Sequence, residues 1–198
     1  MPQDYSQCGK QAPTDTPIDL TRNLWNTRFL NVPAIQFWAD FMLWENVLTV
    51  YPVKGLIELG SAYGGLSLFF QLQCIQRGMQ FATFDWQRCG VLDTPVGQLS
   101  GIARNFYHCD LWREGGDKVR ELLSTWPHPL ALLCDNGNKP REFATFAPLL
   151  TPGDIVACHD WGNEMGYGDI EPLKSMVKEV FADECEQMGS LTRFFQRV

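Results

Sequence analysis

Short apolar runs alternate with longer segments of helical periodicity along most of this chain. Five apolar runs predict β-strands, at residues 56–59, 79–84, 105–110, 129–135 and 155–158. Helices are predicted between them, over residues 31–48, 65–76, 94–105 and 114–126 and through Phe143, Phe146 and Leu149. Asn31 is the predicted N-cap of the first helix. Strands that alternate with helices in this way build a parallel sheet with helices on both faces.

The segment after the fifth strand follows a different pattern. Residues 170–182 have the periodicity of an amphipathic helix, and residues 185–188 and 192–198 predict a hairpin that turns at Gly189-Ser190. The hairpin would bring the sheet to seven strands, of which the last is antiparallel. The predicted fold class is therefore α/β, a doubly wound seven-stranded sheet with a terminal antiparallel hairpin.

One domain is expected for the whole chain, residues 1–198. A chain of this length with 45% hydrophobic residues can bury one continuous core. Residues 1–31 are expected to form an N-terminal arm or lid, since residues 1–23 show no periodicity.

The turn between the first strand and the second helix is rich in glycine. It contains Gly60, Gly64 and Gly65, which let the backbone approach a ligand because they lack a Cβ atom. The N–H groups at the start of the following helix would face a carboxylate or a phosphate. A dinucleotide fingerprint has the spacing G-x-G-x-x-G, and its second glycine is missing after Gly60. The spacing therefore disfavours a nicotinamide-dependent oxidoreductase, which stays open as an alternative.

Carboxylates stand at or near the ends of four successive strands. They are Glu58, Asp85, Asp110 and Asp135. Ligands of open α/β sheets bind at the carboxyl ends of the strands, where these side chains would meet. Asp85 follows Gly60 by 25 residues, near the spacing at which an acidic side chain binds ribose hydroxyls. A helix cap is the alternative role of Asp85.

The sequence Glu58-Leu-Gly-Ser-Ala-Tyr-Gly64 resembles motif I of the class I S-adenosylmethionine-dependent methyltransferases. The turn Leu149-Leu-Thr-Pro-Gly-Asp154 is similar to a turn that precedes a strand in the same class. The resemblance covers residues 55–160. It is nearest to the small-molecule O-methyltransferases related to cephalosporin hydroxylase and to rhamnosyl and macrolide-sugar methyltransferases. It implies a Rossmann-like methyltransferase fold and methyl transfer to a hydroxyl of a small molecule.

The resemblance also implies which residues bind the cofactor, S-adenosylmethionine. They are Glu58, Gly60, Ser61, Tyr63, Gly64, Asp85, Trp86, Asp110, Leu111 and Asp135. Many of these relatives carry Asp-Gly-Asp-His where this chain has Asp135-Asn-Gly-Asn138, so a histidine is missing at that point. Asp135, Lys139 and His159 are left as the candidate catalytic residues, with Lys139 or His159 as the general base.

A divalent metal ion is a further candidate component. Asp135 and Asp160 end neighbouring strands and would repel each other in one cleft unless a cation, a proton or a hydrogen-bond donor neutralises them. With Asn136 or Asn138 as a third oxygen ligand, they would favour Mg²⁺ or another hard divalent cation over zinc. Such an ion would lower the pKa of the acceptor hydroxyl. Alternatively, Asp135 binds only the cofactor's amino group, Asp160 caps a turn, and His159 belongs to the core.

The net charge of −7 argues against nucleic acid or an anionic membrane as a partner. The expected partner is a small-molecule acceptor, and the glycine-rich loop of residues 161–169 would shape part of its binding site. A homodimer is the assembly considered. Seven cysteines without any C-x-x-C pair predict reduced thiols and a cytoplasmic location. A protein that binds S-adenosylmethionine without transferring its methyl group is the remaining alternative.

Overall fold

The structure, a computed structural model, describes residues 27–198. Most of the predicted arm of residues 1–31 lies outside the described residues, so the single-domain organisation stays a prediction. The described end of this segment forms a small hairpin, in which β1 (Arg28–Phe29) pairs with β2 (Val32–Pro33).

Seven further strands of the described residues form one sheet, as predicted. They are β3 (Gly55–Leu59), β4 (Gln80–Asp85), β5 (Phe106–His108), β6 (Leu130–Cys134), β7 (Ile155–Cys158), β8 (Val177–Val180) and β9 (Arg193–Arg197). Their order is β5-β4-β3-β6-β7-β9-β8, and β9 runs antiparallel to both of its neighbours. Strands β3, β6 and β7 are buried along their whole length, which explains their near-continuous apolar sequences.

Helices cover both faces of this sheet. They are α1 (Trp38–Val50), α2 (Gly65–Arg77), α3 (Pro95–Ser100), α4 (Glu114–Thr125), α5 (Lys139–Phe146), α6 (Tyr167–Ile170) and α7 (Ala182–Met188). One buried cluster contains Trp44 of α1 and Phe70 of α2, and a second contains Leu122 of α4 and Phe143 of α5. The doubly wound α/β fold is thereby confirmed. Across residues 27–198, no helix combines the length and the apolar character needed to cross a membrane.

The first long helix begins at Trp38, and the predicted start at Asn31 is wrong. Asn31 has a φ of 65° and lies in the turn of the β1–β2 hairpin, where it cannot cap a helix. The start at Trp38 is stabilised by Asp40, whose Oδ2 accepts the N–H of Phe37 at 2.9 Å.

The face of α1 that packs on the sheet also differs from the prediction. Trp38 and Met42 were expected inside but are 42% and 49% exposed, while Trp44 is buried. Apolar residues surround this helix on nearly every side, so its periodicity does not define one buried face.

The predictions for residues 170–182 and 185–188 are wrong in detail. The first segment contains the end of α6, a turn and strand β8 instead of one helix, and the second lies in α7. Val177 and Val180 have a spacing that suits a helix, but here their strand pairs with β9. The terminal antiparallel pair is therefore confirmed, with β8 as its first strand.

The glycine-rich turn packs closely against its protein surroundings. Gly60 has a φ of 99°, and a Cβ atom on it would lie 2.2 Å from the carbonyl oxygen of Asp135. A Cβ atom on Gly65 would lie 2.6 Å from the Cβ of Ala34. The absence of Cβ atoms on Gly60 and Gly65 thus makes room for the end of β6 and for the segment after β2. Gly60 and Gly65 therefore let the glycine-rich turn, the end of β6 and the segment after β2 pack against one another.

We expect Gly60→Ala to destabilise the chain more than Gly153→Ala. Gly153 has a φ of 98°, nearly that of Gly60, but a Cβ atom there would meet nothing within 4 Å. Gly153→Ala should lower the free energy of unfolding by about 1–2 kcal/mol through backbone strain alone. Gly60→Ala should lose about 1–3 kcal/mol more through the clash with Asp135. Urea unfolding of both variants measures the difference, and equal losses would contradict the packing role of Gly60.

All six cysteines of the described residues are free thiols, and five of them are buried. Burial raises the pKa of Cys74, Cys89 and Cys185 to about 12. At neutral pH these thiols carry almost no thiolate, the form that reacts with thiol reagents. Cys8 lies outside the described residues.

Thiol titration of a Cys8→Ser variant tests this burial. The native chain should react slowly, with half-buried Cys109 as the first thiol modified, and the unfolded chain should react at all six positions. Rapid modification of several thiols in the native chain would show that these cysteines are accessible to the reagent and contradict their burial.

Candidate functional site

The carboxyl ends of β3, β4, β6 and β7 meet at one edge of the sheet, and a cavity opens there. We call it the main cleft. It is lined by residues 34–36, by residues 60–66, and by Glu58, Asp135, Lys139, His159 and Asp160. Because parallel strands deliver their carboxyl ends to the same edge, residues from distant parts of the sequence converge here. Predicted residues Gly60, Ser61, Tyr63 and Gly64 all lie in this lining.

Glu58 is a buried carboxyl group at the base of the main cleft. Its Oε2 accepts a hydrogen bond from Thr83 Oγ1 at 2.5 Å. Its Oε1 has no hydrogen-bond partner among residues 27–198. Burial raises the pKa of Glu58 to about 8, since hydrogen bonds offset only part of the lost solvation. The group is therefore poised to change charge when a cation approaches it.

Asp85 ties the glycine-rich turn to the end of β4. Its Oδ2 accepts the N–H of Ala62 and its Oδ1 accepts the N–H of Gln87, each at 2.8 Å. Next to it, the hydroxyls of Ser61 and Thr83 lie 2.5 Å apart. The carboxylate that the sequence assigned to a ribose thus also holds the turn in place.

A second cleft lies at the same edge of the sheet, where residues follow β4, β5 and β6. It is lined by Trp86, Asp110, Leu111, Trp112 and residues 136–138. Asp110 Oδ1 accepts the N–H of Trp112 at 2.8 Å, which shapes the turn there. The Trp112 ring is covered by the Arg141 guanidinium at 3.8 Å, whereas Trp86 is 64% exposed. Trp86 therefore offers the freer aromatic face to a planar ligand.

Lys139 and His159 join the acidic groups of the main cleft. Lys139 Nζ lies 2.7 Å from Asp160 Oδ2, 2.9 Å from Glu164 Oε2 and 3.5 Å from Asp135 Oδ1. His159 Nδ1 lies 3.3 Å from Asp135 Oδ1 and 3.4 Å from Asp160 Oδ1. Asp160 adopts a φ of 56°, a strained conformation that places its side chain in this cluster.

These contacts shift the pKa values of the cluster. Burial lowers the pKa of His159, but the carboxylates of Asp135 and Asp160 outweigh it and raise the pKa to about 10. Neighbouring carboxylates likewise outweigh burial and raise the pKa of Lys139 above its usual value. The hydrogen bond to His159 holds the pKa of Asp160 well below its usual range. At neutral pH both cations are protonated, so neither can accept a proton in the free site.

The segment between β2 and α1 forms one wall of the main cleft. Gln36 Nε2 donates to Asp135 Oδ2 at 2.9 Å. Buried Asp40 lies 4.0 Å from His159 Nε2, an atom without a hydrogen-bond partner among the described residues. Asp40 Oδ1 also accepts a hydrogen bond from Ser190 Oγ at 2.5 Å. The sequence analysis missed Gln36 and Asp40, because neither follows a strand of the sheet or belongs to a motif.

Most of the predicted catalytic and metal-binding residues lie close together in the structure. One ligand atom each from Asp135, His159 and Asp160 lies within 4.8 Å of the others, a spacing that suits a metal ion. Asn136, one of the two asparagines predicted as a third metal ligand, lines the second cleft instead. Glu164, which no prediction included, enters the cluster from the glycine-rich loop.

No protein-family model and no curated protein sequence matches the chain. Solved structures do match it. The apo structure of CmcI has a TM-score of 0.68 at 16% identity, over 95% of this chain and 87% of that chain. The Mg-SAM structure of CmcI has a TM-score of 0.67 at 16% identity, with the same coverage of 95% and 87%. An O-methyltransferase from Bacillus cereus in complex with SAH has a TM-score of 0.50 at 9% identity, over 80% of each chain. The chain therefore shares its fold with these proteins, as the sequence resemblance implied.

Glu58→Gln should remove a pH dependence of stability. The pKa of Glu58 rises from 4.5 to about 8 on folding, so between these values the folded chain keeps a proton that the unfolded chain has released. The free energy of unfolding should therefore fall as pH rises through this window, by up to about 1.4 kcal/mol per pH unit. Glutamine has no proton to lose, so the variant should show a flatter profile and greater stability at pH near 7.

The measurement is urea unfolding at a series of pH values. Exposed Glu171, whose side chain pairs with Lys174 in the described part of the chain, provides the matched control as Glu171→Gln. This control should keep the slope of the unsubstituted chain. A Glu58→Gln profile as steep as that of the control would contradict the raised pKa.

Proposed function

We propose that this chain is an S-adenosylmethionine-dependent methyltransferase that acts on a hydroxyl of a small molecule. One observation carries the proposal. The glycine-rich turn and Glu58 line the main cleft, and Trp86, Asp110 and Leu111 line a second cleft, in a fold shared with CmcI and with the Bacillus cereus O-methyltransferase. The structures of those proteins are described as Mg-SAM and SAH complexes.

The described residues fit the parts of this cofactor. Glu58 Oε1, buried and without a partner among residues 27–198, suits an ammonium group in the main cleft. Asp85 is bonded to the glycine-rich turn and directly precedes Trp86 of the second cleft, and it would accept ribose hydroxyls through its remaining lone pairs. Trp86, Asp110 and Leu111 line the second cleft, which would hold the adenine. Ser61, Tyr63 and Gly64 line the main cleft beside the turn.

The cofactor supplies a methyl group on a sulfonium, and transfer is an in-line displacement that depends chiefly on alignment. Asp135, Lys139 and His159 would orient the acceptor hydroxyl. Lys139 and His159 are protonated at neutral pH, with the pKa of His159 at about 10. They are therefore suited to orient the acceptor oxygen, and the proton that this hydroxyl loses on methylation would pass to the carboxylate of Asp135 or to solvent.

A divalent metal ion is the second component that the sequence leads one to consider for this site. Asp135, His159 and Asp160 offer ligand atoms within 4.8 Å of one another. However, Lys139 Nζ already contacts Asp135 and Asp160, and His159 Nδ1 faces the same two carboxylates. The cluster would accept an ion such as Mg²⁺ only if Lys139 moved away.

Two other functions stay open. A protein that binds S-adenosylmethionine without transferring methyl would use the same clefts, and a nicotinamide-dependent oxidoreductase would use the same class of sheet. The small-molecule acceptor, the homodimer and the cytoplasmic location are further parts of the proposal. The buried free thiols of the described residues support the last of these.

Parallel calorimetry with S-adenosylhomocysteine, NAD and NADP tests the cofactor. We expect S-adenosylhomocysteine to bind and the two dinucleotides not to bind. Asp85→Ala should weaken binding by about 1–3 kcal/mol, because ribose hydroxyls and the turn would lose their partner. Asp93→Ala is the matched control, since exposed Asp93 lies outside both clefts and pairs, within residues 27–198, with Arg88. Tight binding of NAD, or undiminished binding by Asp85→Ala, would contradict the assignment.

Methyl uptake by a panel of hydroxylated metabolites then separates transfer from binding alone.

A further inference from the structure

We propose that the ammonium group of Lys139 is a built-in cation that takes the place of a divalent metal ion in the main cleft. This inference rests on the proposed function and names what supplies the positive charge in its site. It assigns Lys139 a positioning role, and it predicts that the unsubstituted chain works without a metal.

The oxygen atoms around Lys139 resemble the environment of a bound cation. Three carboxylates approach its Nζ atom from separate segments: Asp135 follows β6, Asp160 follows β7, and Glu164 lies in the loop before α6. Their nearest oxygens are 3.5, 2.7 and 2.9 Å away. An ammonium has three N–H donors, so the number of donors equals the number of acidic partners.

The fold holds Lys139 firmly in this position. Lys139 is the first residue of α5, and the Asn138 side chain caps that helix by accepting the N–H of Arg141 at 3.2 Å. Pro140 follows, in a position where its fixed φ suits the first turn. The Lys139 side chain is only 5% exposed. The ammonium is therefore part of the packed site and differs from a mobile surface charge.

Charge explains why a metal ion and Lys139 exclude each other. A divalent cation would compete for the oxygens of Asp135 and Asp160 and would repel the ammonium beside them. Displacing Lys139 would leave a buried charge without partners, which is costly. His159 adds a second obstacle, because its Nδ1 is directed at the same two carboxylates and offers them a proton. The cluster is thus already supplied with two cations.

Titration with Mn²⁺, followed by electron paramagnetic resonance, tests the inference. The unsubstituted chain should show no specific site. Lys139→Met keeps the length of the side chain but removes its charge, and it should bind Mn²⁺ at least about tenfold more tightly. Adding Asp160→Asn to that variant should abolish the gain. Lys174→Met is the matched control, because exposed Lys174 pairs with Glu171, and it should leave Mn²⁺ binding unchanged.

Two results would overturn the inference. One is Mn²⁺ binding by the unsubstituted chain as tight as that of Lys139→Met. The other is a folded Lys139→Met, verified by circular dichroism, that gains no affinity. Lys139→Gln replaces Lys139→Met if the latter does not fold. These readouts need no methyl transfer, so they stand apart from the proposed function. Where transfer is measurable, excess chelator should leave the unsubstituted chain fully active, and loss of activity would also overturn the inference.

Discussion

The site depends on the compensation of charge where parallel strands end. Topology forces the residues after β6 and β7 to the same edge of the sheet, where Asp135 directly follows β6 and Asp160 lies two residues after β7. Carboxylates so close together and partly removed from water need positive partners. Lys139 and His159 provide them in the described structure. The positions of α5 and of the loop that follows β7 are thus linked to the electrostatics of the cleft.

Much of the fold was predictable from the sequence, because burial on both faces leaves a strong signal. Strands β3, β6 and β7 contain almost only apolar residues, and the polar residues after them mark where they end. The carboxylates at the strand ends converge for topological reasons alone. Asp110 and Asp135 accordingly line the clefts at this edge of the sheet, as their positions after strands indicate.

Other features were not predictable, because they depend on contacts between distant segments. Val177 and Val180 have the spacing of a helix, and this spacing concealed an edge strand. The strand forms by pairing with β9, a partner that local periodicity does not reveal. Gln36 and Glu164 reach the cleft from segments without motifs. The charge state of His159 likewise depends on its burial beside two carboxylates, which no local pattern reveals.

The hydrogen bond between Asp40 and Ser190 has a consequence for the order of events during folding. It joins residues 150 positions apart, on the wall that also carries Gln36. Contacts of such long sequence separation form only after most of the chain has collapsed, so this hydrogen bond forms late in folding. The segment after α7 must therefore be in place before the start of α1 is fixed in this way.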